Sequence, residues 1–424
     1  MGGPPNTGAY NFLKMATLTP FRALRPSPAD APRVASVPYD VVNTDEARAL
    51  ANGNPLSFLR VSRAEIELPS GTNPHADAVY DRAVQNFAAL RRSSLVVENE
   101  SSVYLYRLRM GAHEQTGVAA CWALEEYDRD VIKKHERTRR DKEDDRTRHM
   151  IAIGAQTGPV FLTYRATAPI DEAVRRLSAS QPLFDFQAPD GVRHTVWVVG
   201  GADRDAFVEA FRPITSLYIA DGHHRAASAA RTRDHFCSDR AARPSVGDGA
   251  DYSRFLGVAF PHDQVQILSY NRIVKDLGGR SPADVLEAAK RSFDVQHGPA
   301  TPERRGDISA YIDGRWHTLR ARSRTTASDP IRSLDVSALQ DQLLAPVFGI
   351  TDVTTDKRID FVGGSRGTAE LEALVRSGKA AIAFSMFPVS VSDLMTVSDA
   401  GEIMPPKSTW FEPKLRDGLL SHLI

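Results

Sequence analysis

Leu217-Tyr218-Ile219-Ala220-Asp221-Gly222-His223-His224-Arg225-Ala226-Ala227-Ser228-Ala229-Ala230 joins an apolar run to an alanine-rich one through a single glycine. Leu217 to Ala220 is a short apolar run, the pattern of a buried strand. Gly222 lets the backbone turn sharply without a Cβ clash. Ala226 to Ala230 is dominated by alanine, the strongest helix former. A strand therefore passes into a helix, and His223, His224 and Arg225 fall at the helix amino end. Free backbone N–H groups and the helix dipole favour an anion at that place. Arg225 adds a planar fork matched to phosphate oxygens. Gly222, His223, His224 and Arg225 are the expected phosphate or nucleotide cradle, and Asp221 and His224 are candidates for catalysis. Asp221 and the two histidines also carry metal-ligating atoms, but side chains at i and i+1 point apart on a helix, which disfavours one ion on both histidines.

Outward from this unit, the pattern predicts mixed α and β structure. Residues 75–92 carry apolar positions at helical spacing, and residues 203–211 form a second short helix. Val103 to Leu108 and Gln115 to Glu125 read as an antiparallel pair joined around Gly111. Pro159 to Tyr164 is a buried strand, Phe184–Gln187 and Thr195–Val199 form a hairpin-like pair, and strands follow at 255–260 and 265–268. Asn43-Thr44-Asp45-Glu46 opens a helix. Asn54 to Val61 reads as a turn and a strand. Past residue 277 the texture changes, with helices at 281–292, 336–345 and 368–376, a strand pair around Asp313-Gly314 and a strand from Ala380 to Phe384. The Arg/Ser/Thr stretch at 318–328 reads as a solvated loop.

Lys133 to His149 is densely charged. A helix there would set Lys142 and Arg146 on one face, and Glu143 beside Thr147. A solvated, ion-paired helix face is the plain reading of such a run. The functional one has an acidic side holding a cation and a basic side meeting phosphate. Near the N-terminus Tyr39-Asp40 follows a proline turn. Its plain reading is a buried tyrosine with a structural aspartate, and the functional one has Asp40 contacting a substrate amine or a metal. Asn271-Arg272 reads either as a strand-end salt bridge or as a substrate contact through Arg272. Met404-Pro405-Pro406-Lys407-Ser408-Thr409-Trp410-Phe411-Glu412-Pro413-Lys414 is stiffened by three prolines. A packed tail explains it. The alternative folds it back on Asp221–Arg225, with Lys407, Ser408 and Thr409 at a phosphate.

Bulk properties exclude several classes. The 424 residues carry 53 basic and 53 acidic side chains, a net charge of zero. No global field draws the chain to nucleic acid, which makes that partner unlikely. Cys121 and Cys237 are the only cysteines, too few for a disulfide framework or a four-thiolate zinc site. No run reaches the roughly 18 apolar residues of a membrane span. Met1 to Thr19 lacks the pattern of a secretory signal. Residues 1–17 are expected to be an unstructured extension, with Met15 an alternative start, and the protein to be cytoplasmic with reduced thiols.

The strand–Asp-Gly-His-His-Arg–helix unit resembles the phosphate-binding motif of the ParB/sulfiredoxin-like fold, above all the version in free serine kinases, where the five residues read the same. Over about 400 residues, from Phe21-Arg22-Ala23-Leu24-Arg25-Pro26 and Pro38-Tyr39-Asp40 to Met404-Pro405-Pro406-Lys407-Ser408-Thr409, the chain also resembles the DUF1015 family. The resemblance implies an α+β fold with a ParB/sulfiredoxin-like mixed core. That core, with an N-terminal elaboration and insertions, would span 18–276, and a second α+β lobe 277–424. It also implies a small-molecule kinase passing a phosphoryl group from ADP or ATP to the hydroxyl of free L-serine or a similar amino acid. His135-Glu136 matches the His-Glu pair of those kinases. Glu136 would then be the base, His135 would meet the substrate with Asp40 and Arg272, and Mg²⁺ would sit on Asp221 or Asp145. The rivals are a ParB-like nucleotide-binding regulator without catalysis and a phosphate-ester hydrolase using the histidines. Sulfiredoxins carry a cysteine where His223 stands, which disfavours their chemistry. The expected partners are a nucleotide and a small molecule, with a homodimer open.

Overall fold

Apolar side chains along Val103–Ala123 set the middle of a nine-stranded sheet. The computed structural model describes residues 15–239, 251–323 and 329–424. The sheet comprises β1 (Leu18–Thr19), β2 (Val103–Met110), β3 (His113–Ala123), β4 (Ile132–Lys133), β5 (Val160–Tyr164), β6 (Phe184–Gln187), β7 (Arg193–Val199), β8 (Leu217–Asp221) and β9 (Arg254–Pro261). Their order is β4-β8-β5-β9-β3-β2-β7-β6, with β1 along β3. β4 with β8 and β5 with β9 run parallel, and the other pairs are antiparallel. The β2–β3 hairpin turns at Gly111, as its spacing predicts.

Both faces of this sheet are covered. Trp122, Leu162, Phe207 and Phe211 pack on one side, and Tyr104, Tyr106, Phe161 and Phe260 on the other. Three helices pack side by side: α1 (Asp77–Ser93), α2 (Arg140–Ile153) and α3 (His223–Ser238). α2 lies between α1 and α3.

A second, antiparallel sheet holds β10 (Tyr270–Val274), β11 (Phe293–His297), β12 (Asp307–Ile312), β13 (Arg315–Ala321), β14 (Ile359–Gly363) and β15 (Ile382–Met386), in the order β11-β13-β12-β15-β10-β14. The chain is thus α+β. The second sheet takes in residues before 277, so Asn271 and Arg272 lie within a strand and not at its end. The last residues return to the first sheet's side of the molecule. Trp410–Glu412 pairs with Gln266–Leu268, Asp417 exchanges backbone hydrogen bonds with Ser36, and His422–Leu423 pairs with Ala155–Gln156.

Three local expectations are corrected. Leu59–Ser62 is a helical turn where a strand was expected. Phe58 and Val61 are both fully buried, and a three-residue spacing puts them on one helical side; runs this short do not fix a period by themselves. Thr318 to Ala321 belongs to β13 and not to a loop, because Leu319 is buried and Arg320 pairs with Asp307; residues 324–328 lie outside the described residues. Ala16, expected in the extension, is buried and donates its N–H to the Ile214 carbonyl at 2.9 Å. Residues 1–14 lie outside the described residues. Both cysteines are free thiols, Cys121 buried and Cys237 exposed. Among the described residues no helix is long and apolar enough to cross a membrane.

Close packing across the sheet centre depends on Gly257. A Cβ there would stand 2.9 Å from both Leu162 Cδ1 and Trp122 Cδ1. Gly257→Ala is therefore expected to cost about 1–3 kcal/mol by overpacking, read as a lowered urea midpoint with an unchanged slope.

Candidate active site

β8 delivers Asp221 to the top of the sheet, and Gly222 turns the chain into α3 with φ +95°. A side chain at this position would be strained, and its Cβ would lie 3.3 Å from Arg225 Cζ. α3 starts without a side-chain cap, so its first N–H groups face the space beyond Asp221.

The short strand β4 brings a second segment to this place. Leu217 pairs with Ile132 and Tyr218 with Lys133 in parallel register. The chain leaving β4 then sets His135 and Glu136 beside the β8–α3 turn. The His135 and His223 rings meet edge to face at 4.5 Å, and the His135 N–H points at His223 Nε2 at 3.4 Å. His135, Glu136 and His223 each place a ligand atom within 4.8 Å of the others. Arg139 N–H donates to His224 Nε2 at 3.0 Å.

Burial drives His135 down to about 4 and His223 well below the ordinary histidine value, so both rings are neutral at neutral pH. Glu136 moves the other way. Burial raises it, Lys407 and Lys414 pull it down, Asp221 and Asp40 push it up, and the net position is above an ordinary glutamate.

The 404–414 loop lies against these residues. Met404 N–H donates to the His135 carbonyl at 2.9 Å, and Thr409 Oγ1 is 3.3 Å from His135 Nε2. Lys407 sits in the left-handed region at φ +58°. Burial would lower its pKa, but Tyr270, Glu136 and Asp40 outweigh that and raise it, so it stays charged. Lys414, for which no role was expected, reaches Asp221 Oδ2 at 3.1 Å and lies 4.8 Å from the Trp410 ring centroid. Burial would raise Asp221, yet Lys414, Arg225 and His223 together hold it below the usual carboxylate range.

Arg225 is buried beneath the turn. Nη1 donates to the Pro159 carbonyl at 2.6 Å, while Nη2 stands 3.8 Å from Asp40 and 3.9 Å from Asp221. Among the described residues, Nε and Nη2 have no hydrogen-bond acceptor. Burial works against its charge, and the Asp40, Asp221 and Asp417 carboxylates overcome it. Asp417, pushed up to about 7 by burial, lines a small cavity with Arg225, Tyr39 and Arg146.

Other expected residues are placed differently. Asp145 is buried in α2, with its oxygens engaged by Tyr80 at 2.7 Å, His75 at 3.1 Å and Arg146 at 2.6 Å. A carboxylate so engaged has no lone pair directed at a cation, which corrects its expected metal role. Glu143 and Asp144 pair with Arg231, so the acidic side of α2 is ion-paired. Arg272 is buried and directs its donors to the carbonyls of Tyr270, Pro406 and Lys407. Burial pulls it down to about 10. It holds the loop instead of meeting substrate. Ser408 Oγ turns inward to the Pro405 carbonyl and not toward an anion.

The family model described as a protein of unknown function, DUF1015, matches residues 18–337. The chain belongs to the DUF1015 family. Among solved structures it is similar to a conserved hypothetical protein from Pyrococcus furiosus, at 16% identity and a TM-score of 0.34, covering 72% of this chain and 95% of that one. It is similar to a free serine kinase in complex with AMP, at 16% identity and 0.34, covering 72% and 92%. A third is SbnI with a C-terminal truncation from Staphylococcus aureus, at 11% identity and 0.38, covering 70% and 85%. No curated protein matches the chain.

The Lys414–Asp221 pair yields a signed expectation. A carboxylate held below its unfolded value adds stability above pH 4, and that stability is lost as pH falls further. Lys414→Met should cost about 1–3 kcal/mol at pH 7 in denaturant unfolding, and the difference from wild type should shrink below pH 4.

Proposed function

We propose that this DUF1015 protein is a small-molecule kinase that passes a phosphoryl group from ADP or ATP to the hydroxyl of free L-serine or a similar amino acid. The observation that carries the reading is Glu136, a carboxylate raised by burial and set opposite the uncapped amino end of α3. Phosphoryl transfer asks for little covalent chemistry from the protein. It needs placement, charge to match the phosphates, and one group to take the proton of the attacking hydroxyl.

The residues divide along those lines. Backbone N–H groups of His223, His224 and Arg225 would receive phosphate oxygens, with the Arg225 Nε and Nη2 donors beneath them. Lys407 and Lys414 supply further positive charge. As the acceptor oxygen attacks phosphorus and the bond to the departing nucleotide breaks, Glu136 takes the hydroxyl proton. A raised pKa makes it a stronger base than an exposed glutamate. Asp221 is the carboxylate suited to a Mg²⁺ carried by the phosphates, which would supply charge neutralisation. Asp40, beside Arg225, remains the candidate for a substrate amine. The hydrolase alternative needs a free histidine nitrogen as nucleophile, and His224 Nε2 already accepts from Arg139.

The test is direct. Purified protein with ADP or ATP, Mg²⁺ and L-serine or another hydroxyl amino acid should form the phosphorylated product. Glu136→Gln should lower kcat by about 10²–10⁴-fold while nucleotide still shifts the melting temperature. In wild type the acidic limb of the rate profile should lie above the ordinary glutamate value of about 4.3, rising with pH as Glu136 loses its proton. Absence of product from every hydroxyl amino acid sinks the reading.

A further inference from the structure

His135, Glu136 and His223 bring two imidazole nitrogens and a carboxylate oxygen within 4.8 Å of one another. We propose that they form a three-ligand site for a first-row transition-metal dication of the Zn²⁺ class, distinct from any phosphate-borne Mg²⁺. Two histidines and a carboxylate with an open position is a donor set that such ions take and that Mg²⁺, which prefers oxygen and water, does not. Ligands about 2 Å from one ion stand roughly 3.3 Å apart in tetrahedral geometry, so closing the cluster needs shifts of about an ångström.

The surroundings fit a bound cation. Both imidazoles lie in the interior, His135 at 1% and His223 at 5% exposure, while Glu136 is half-buried. Among the described residues, Nδ1 of the buried His135 ring has no hydrogen-bond partner, so a cation can take it without breaking a contact. The contact from His135 N–H to His223 Nε2, at 3.4 Å, is long and yields readily to a metal bond. Asp221 and Asp40 act on the same space and offset the charge of Lys407 and Lys414.

Such a site has a consequence that rests on the kinase reading. An ion on the Glu136 carboxylate draws charge from it and lowers its strength as a base for the hydroxyl proton. Zn²⁺ would then switch transfer off without displacing nucleotide.

Dialysed full-length protein without nucleotide is titrated with Co²⁺, whose visible absorption reports histidine–carboxylate coordination, and then with Zn²⁺. One Co²⁺ per chain is expected, displaced by Zn²⁺ and not by millimolar Mg²⁺. Glu136→Gln and His223→Gln should each weaken binding at least tenfold. His317→Gln should leave it unchanged, since His317 and His297 form a separate pair on β13 and β11. Melting curves check that each variant is folded. If His223→Gln unfolds, Glu136→Gln at its half-buried position decides alone. No cobalt spectrum in wild type, or an unchanged titration in Glu136→Gln, overturns the site. Cobalt binding with no phosphoryl transfer keeps the site and sinks the kinase, whereas transfer without cobalt binding does the reverse.

Discussion

The parallel pairing of Ile132–Lys133 with Leu217–Tyr218 is the contact on which the candidate site depends. It is only two residues long, yet it fixes the direction in which the chain leaves each strand. Both strands run the same way, so both following segments emerge at the same sheet edge. One becomes the Gly222 turn and α3. The other carries His135 and Glu136. A parallel pair needs a long connection, and here it includes α2, β5, the β6–β7 hairpin and the helices Ala168–Leu177 and Gly201–Phe211. That intervening chain is no bystander, because it carries β5, the strand against which β8 is held.

Charge compensation is the second constraint. Arg225 sits beneath the turn with only one donor engaged by a backbone carbonyl. An ionised side chain in that position stands only where carboxylates surround it, and Asp40, Asp221 and Asp417 come from three distant parts of the chain. Lys414 then compensates Asp221 from above, and Arg272 holds the Lys407 turn through its carbonyls. Burial lifts Glu136 above an ordinary glutamate and Asp417 to about 7, while the cations around Asp221, Lys414 first among them, keep that carboxylate ionised against burial.

Much of this was legible from local pattern. The strand–glycine–alanine order around Asp221 reads correctly because each feature acts over a few residues: apolar burial, a positive φ, helix propensity. The β2–β3 hairpin, α1 and the Asn43 capping box follow from the same kind of short-range rule. The errors have a physical pattern too. Leu59–Ser62 misreads because four residues do not distinguish a helical period from a strand. Asp145 misreads because nothing local says that Tyr80 and His75, more than 60 residues away, occupy its oxygens. Arg272 misreads because two of its three carbonyl partners, on Pro406 and Lys407, lie more than 130 residues further on.

Local pattern set the strand–glycine–helix turn at Asp221–Arg225, the α+β character and the residue types on offer for chemistry. These rest on backbone sterics, side-chain periodicity and charge, all of which act between near neighbours. Tertiary structure alone decided which of those residues meet. His135 reaches His223 across 88 positions, and Lys414 reaches Asp221 across 193. Such contacts depend on strand order and on the path of the C-terminal tail, which follow from burying two sheets and their helices together and not from any local preference of the residues that touch.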